Sequence, residues 1–206
     1  MEEYAYVLDY LPRGRPDNPR SKDPVAYAVG ERNFVLLELV PKSDAALLVG
    51  DRVYVGKEPA LKDKIDHVRG RVRFEDTTHA AQSELRPVLE QIIKSDEARF
   101  VKFFNEAGPI TTRMHMLELL PGLGKKLMWA IVDEKKKGGP FKSLADLDAR
   151  VKALHQPVKL LAHRIEQEVT DNHEKYHLFA QPFVERSDMG PPGRGGPGRG
   201  PPRGMR

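Results

Sequence analysis

The stretch Leu117–Leu147, LELLPGLGKKLMWAIVDEKKKGGPFKSLADL, decides how the rest of the chain is read. Gly122 and Gly124 lie between one apolar helical run (Met114, Leu117, Leu120) and another (Leu127, Ala130, Ile131). Pro121 cannot donate a helical hydrogen bond and glycine takes positive φ freely, so Leu120 to Gly124 predicts a tight reversal between two helices. Free N–H groups at the start of the second helix, with Lys125 and Lys126 beside them, make that reversal a natural anion site. A nucleotide P-loop is excluded, because it needs G-x-x-x-x-G-K-[ST] and these glycines are only two residues apart.

With those residues in view, LxxLPGLGKKLxxxI followed by GGPFKSLADL resembles a helix-hairpin-helix module. It is of the tandem kind found in bacterial DNA-uptake proteins and nucleotide-excision-repair nucleases, and the match covers Thr112 to Val169. The resemblance implies that the hairpin holds sugar-phosphate backbone through the amides around Gly122, Leu123 and Gly124, with Lys125, Lys126 and the nearby Arg113 supplying charge. In that family the hairpin carbonyls sometimes hold a monovalent cation. Tandem modules carry a second hairpin, which an offset of 34 aligns: Leu120 with Leu154, Lys125 with Lys159, Leu127 with Leu161, Ile131 with Ile165. The apolar spacing survives there, whereas Gly122 becomes Gln156 and Gly124 becomes Val158. The second hairpin is therefore expected to keep its packing, and Lys159, and to lose much of its phosphate contact.

Residues 1–80 read as a small OB-like β-barrel. Tyr4, Tyr6, Leu8 and Tyr10 alternate with Ala5, Val7 and Asp9, with little polarity contrast. Val25–Val29, Asn33–Val40, Arg52–Val55 and Ile65–Phe74 supply further strands, VGDRVYVG (49–56) a turn and a closing strand, and Gly70 a bulge or bend. Arg13, Arg15, Arg20 and Lys22 cluster in the first loop, and Lys62, Lys64, Arg69, Arg71 and Arg73 near the last strand, with Tyr54 and Phe74 beside them. Cations interleaved with aromatics suit a single strand of nucleic acid; the plainer reading is a barrel whose arginines face water. The three tyrosines of the first strand read as core or edge residues.

Residues 81–110 read as a helical connector, with Ser83 as cap and Pro87 in the first turn, then a helix whose Phe100, Val101, Phe103 and Phe104 pack on the hairpins in a five-helix unit. Residues 111–172 form the tandem hairpin domain, with Ser143 capping a short helix from Leu144 to Ala149. Lys135, Lys136 and Lys137 read as a solvated helix end, and Trp129, the single tryptophan, as partly buried core. Residues 173–186 suggest a strand returning to the barrel. The tail, 187–206, holds Arg194, Arg199, Arg203 and Arg206 against Asp188 and is too rich in Gly and Pro to fold. It resembles the arginine-glycine segments of RNA-binding proteins.

The chain of 206 residues has a net charge of +4, of which the tail holds +3, leaving +1 for residues 1–186. Any polyanion affinity of the body must come from a local patch. Zero cysteines exclude thiolate metal sites and disulfides. The histidines have no ligand spacing, His115 reads as structural, and no catalytic constellation or cofactor motif stands out. No apolar run approaches a membrane span, so the expectation is cytoplasmic. The order of parts resembles an archaeal family of predicted nucleic-acid-binding proteins of unknown cellular role. The expectation is an α+β, non-enzymatic protein that binds nucleic acid, RNA favoured over DNA. The alternative is a protein-interaction scaffold in a ribosome- or transcription-associated complex.

Overall fold

The computed structural model describes residues 2–15, 23–171 and 173–184. The tail expected at 187–206, together with Arg20 and Lys22 of the first loop, lies outside them. Among the described residues the fold is mixed α+β, a curled five-stranded antiparallel sheet and five α-helices.

The sheet runs β4-β1-β2-β3-β5, with β1 Tyr4–Leu11, β2 Val25–Gly30, β3 Leu36–Pro41, β4 Arg52–Tyr54 and β5 Ile65–Arg71. Register shifts between Val7 and Asp9 and between Glu38 and Leu39 leave Leu8 and Arg69 as extra residues. Bulges of this kind bend a sheet. The expected bulge at Gly70 thus falls one residue earlier. The short β4 pairs only with β1, and no ladder among the described residues joins it to β5, so the sheet is a half-barrel rather than a closed one. The weak polarity contrast of the first strand has a direct cause, since both faces of the sheet are buried. Tyr6, Leu8, Val25, Tyr27, Val29 and Leu36 face the helices. Ala5, Val7, Ala26, Ala28, Leu37 and Leu39 fill the inside of the curl with Val53, Val55 and Ile65. The small alanines leave room on the concave face for the sheet to curl over its own side chains without closing.

Helix α1, His79–Ser95, starts well before Ser83, because Thr78 caps it and accepts the N–H of Ala81 at 3.1 Å. Pro87 therefore sits inside the helix rather than in its first turn. It lies on the exposed side, where the carbonyl it leaves unbonded faces water. Leu85, Val88, Leu89, Ile92 and Ile93 are buried, packed between β1 and the last helix. Helix α2, Glu97–Glu106, buries Phe100, Val101 and Phe104. Helices α3 (Lys125–Gly138), α4 (Leu144–Arg150) and α5 (Pro157–Thr170) follow, and Ser143 caps α4 by accepting the N–H of Asp146 at 2.9 Å. One contiguous apolar core runs from the sheet through all five helices.

Two segments differ from expectation. The run from Met114 to Leu120 is not a helix: Pro109–Thr111 (β6) and Met114–His115 (β7) form a two-stranded hairpin, and Met116–Leu119 make a short 3-10 turn. Residues 173–184 hold no strand among those described, although the segment does return to the sheet. The buried Glu168 carboxylate accepts the N–H groups of Leu178, Phe179 and Ala180 at 2.8, 2.9 and 2.8 Å, and the N–H of Gln181 reaches the Asn33 carbonyl at 2.8 Å. Glu168 is also paired with Arg164 at 2.8 Å.

Candidate nucleic-acid interface

The turn before α3 follows from its sequence. Gly122 has φ 75°, a conformation that costs any side chain, and the N–H of Leu123 closes the turn on the Leu120 carbonyl at 3.0 Å. Leu120 and Leu123 are buried and pin the turn to the core, leaving the glycines outside. Gly124 is the N-cap of α3 at φ −78°, with no side-chain cap. A Cβ at either glycine would meet nothing within 4 Å. Among the described residues, the amides of Gly124, Lys125, Lys126 and Leu127 make no hydrogen bond, and the first to do so is Met128, to the Gly124 carbonyl at 3.0 Å. Backbone donors, a helix N-terminus and open space thus coincide.

The structure divides the expected site residues by what they already hold. Arg113, Lys125, Lys126 and Lys159 are exposed and make no ion pair with the described residues. Arg71 and Arg73, expected to meet a single strand from the sheet, are engaged within the fold. The Arg71 guanidinium donates to the carbonyls of Gln181 and Pro182 at 3.0 and 2.8 Å and lies over the Phe183 ring. Burial lowers its pKa, with Glu2 opposing. Arg73 pairs with Asp76 at 3.0 Å and Glu75 at 3.5 Å. Arg15 and Arg69 both meet the buried Glu38 carboxylate. Much of the sheet's basic cluster is therefore spent within the fold. Of the triple lysine, Lys135 donates to the Asn105 carbonyl at 2.8 Å and is not simply solvated.

The second hairpin keeps more of its geometry than its composition implies. Gln156, the counterpart of Gly122, also lies in the left-handed region at φ 54°, and Leu154 is buried like Leu120. Pro157 then opens α5 and has no N–H, and the Lys159 amide turns back to the Gln156 carbonyl at 3.0 Å. Few free donors remain there.

Trp129 corrects the sequence reading. It is 55% exposed, not core; Met128 and Ile131 take the buried positions. A groove between the β6–β7 hairpin and α3 is lined by Arg113, His115, Glu118, Lys125, Trp129 and Val132. His115 is structural, as expected. Its Nδ1 accepts the Leu117 N–H at 3.1 Å while Glu118 accepts the His115 N–H at 2.8 Å, a reciprocal cap on the 3-10 turn. Burial lowers its pKa, Glu118 opposes and nearby Lys135 adds to the lowering. Among the described residues, no cluster of His, Cys, Asp or Glu could hold a metal ion, and no helix is long and apolar enough to cross a membrane.

A half-barrel sheet fused through one core to a helical unit with a glycine turn defines the class of protein. The chain belongs to the family described as "Protein of unknown function (DUF655)", matched over residues 1–181. It is similar to the uncharacterized protein MJ0038 of Methanocaldococcus jannaschii, 46% identical over 182 residues, which span 88% of this chain and 81% of that one. It also resembles the crystal structure of Af1531 from Archaeoglobus fulgidus, with a TM-score of 0.82 and 50% identity over 87% of this chain and 100% of that one. These relatives are archaeal, and the family match ends before the arginine-glycine tail.

Proposed function

We propose that this protein is a non-enzymatic nucleic-acid-binding protein, RNA favoured over DNA, that grips sugar-phosphate backbone at the turn from Gly122 to Lys126. The observation that carries this reading is the run of unbonded amides at Gly124–Leu127 beneath two side-chain-free positions, with Arg113, Lys125 and Lys126 uncommitted around it. The sequence likeness of Leu117–Leu147 to a helix-hairpin-helix module, of which the structure has the glycine turn and the second helix but only a 3-10 turn for the first, supports the same class, as does the oligonucleotide-binding likeness of the sheet. Because the sheet's arginines are largely internally paired, the hairpin is the principal contact and Lys159 a secondary one. The tail adds diffuse charge and, by its arginine-glycine spacing, tilts the preference toward RNA.

Fluorescence anisotropy with single-stranded RNA, structured RNA and duplex DNA at low salt tests the proposal, and binding to none of them ends it. Replacing Gly124 by Val places a branched side chain where phosphate must approach. With one or two charge-assisted hydrogen bonds lost, affinity should fall about 10- to 100-fold while the fold persists. The scaffold alternative draws on the exposed Leu48 and Leu61 and the near-neutral body; a complex that survives nuclease treatment would favour it.

A further inference from the structure

The groove beside the hairpin contains a feature that backbone gripping does not use. Trp129 stands one turn into α3, exposed, at the floor of a cleft whose other wall is the β6–β7 hairpin. The helix buries Met128 and Ile131, while Trp129 keeps more than half of its large surface, 55%, open to the cleft. Its surroundings are cationic: Arg113 comes from the hairpin and Lys125 from the first turn of α3, and neither is ion-paired among the described residues. The acidic group of the cleft, Glu118, already accepts the His115 amide. A flat aromatic face flanked by two free cations matches an unpaired nucleotide, its base on the indole and its phosphate between the guanidinium and the ammonium. The offset of 34 places His163 of α5 at the corresponding position of the second hairpin, half-buried, so this feature belongs to the first hairpin alone.

We infer that the cleft between β6–β7 and α3 is a base-stacking subsite in which Trp129 takes one unpaired base of a single-stranded nucleic acid, with Arg113 and Lys125 holding the adjoining phosphates. This rests on the proposed backbone grip at Gly122–Lys126 and adds the class of ligand: a single strand or an unpaired end rather than an uninterrupted duplex. In a duplex the bases present their edges, and an indole on a helix surface has no face to meet.

Trp129 is the only tryptophan, so its emission reports this cleft and nothing else. The experiment titrates the full chain with fluorescein-labelled single-stranded RNA, single-stranded DNA and a blunt duplex of equal length. Anisotropy is followed for binding, and Trp129 emission, with unlabelled oligonucleotide, for stacking. Single strands should quench the emission in step with binding, and the duplex should quench it little even where it binds. Trp129→Ala should weaken single-strand binding by about 5- to 150-fold, the range of base–aromatic stacking, with Trp129→Phe restoring much of the loss. A circular dichroism melt of the alanine variant, with its transition above the binding temperature, shows that the loss comes from the cleft and not from unfolding.

Binding by anisotropy without quenching, or with Trp129→Ala at full affinity, overturns the stacking subsite and leaves the backbone grip standing. Equal quenching by the duplex overturns it in the same way. Emission that changes with protein concentration alone, together with a dimer in sedimentation, assigns the cleft to a second copy of the chain and overturns it. No anisotropy change with any oligonucleotide removes both readings.

Discussion

Gly122 and Gly124 stand two residues apart and answer to different physics. Gly122 is held at φ 75°, so Gly122→Ala should cost about 1–2 kcal/mol in urea denaturation. Gly124 is extended, at φ −78°, and there the poorer N-cap of alanine is offset by its stiffer unfolded chain. Gly124→Ala should therefore hold stability to within about 0.5 kcal/mol. A variant pair that behaves alike would show that the turn is not what Gly122 serves. Gln156 is the inverse case, a side chain in the left-handed region, and Gln156→Gly should raise the urea midpoint by roughly 0.5–1 kcal/mol of stability. Phe34, at φ 52°, accepts the same strain because its ring is buried against Phe100, which outweighs it. Of these residues the glycine turn was legible from sequence, since Pro and Gly act locally. Trp129 and Arg71 were not. The indole's side of α3 is set by which neighbouring positions the core takes, and the Arg71 partners lie 110 and 111 residues away in the chain.

At the scale of elements, the 3-10 turn depends on a neutral histidine. Its cap needs an unprotonated Nδ1, and burial holds the pKa below the usual 6.5. Between the folded value and 6.5 the unfolded chain binds more protons, so the contribution of His115 is complete above about pH 6.5 and is lost as pH falls. A His115→Asn variant should show a shallower loss of stability across pH 7 to 5 than the natural chain. The hairpin β6–β7 escaped the sequence reading because Met114, Leu117 and Leu120 keep helical spacing while the first of them lies in a strand. Strand β1 was legible from its alternation, β2 and β3 from their apolar runs, and β4 from the turn at Gly50 and Asp51, whereas α1 was misplaced because Ser83 and Pro87 imitate a helix start that Thr78 provides.

For the whole molecule, the shared core predicts one cooperative unit. Slowest-exchanging amides in β2 and in α5 should report the same global free energy by native-state hydrogen exchange; two distinct values would mean that sheet and helices open separately. Replacing Glu168 by Gln keeps one accepting oxygen and sets an NH2 group against the donors of the other, either Arg164 and the Leu178 amide or the Phe179 and Ala180 amides, and should lower stability by about 3 kcal/mol. The near-neutral body sets the salt response. With Arg113, Lys125 and Lys126 as the phosphate contacts, the logarithm of single-strand affinity should fall with the logarithm of salt at a slope of about −2 for residues 1–186. The full chain, carrying the tail, should be steeper.

The stitch between Gln181 and Asn33 also orders events in time. Asn33 and Phe34 emerge early in synthesis, yet Phe34 packs at a tilt on Phe100, which packs on Phe179, and Glu168 holds Phe179 in place. A nascent chain carrying the finished sheet and α2 therefore leaves one side of the Phe34–Phe100 pair uncovered until residues 178–181 arrive, so the last segment to be made closes the aromatic core.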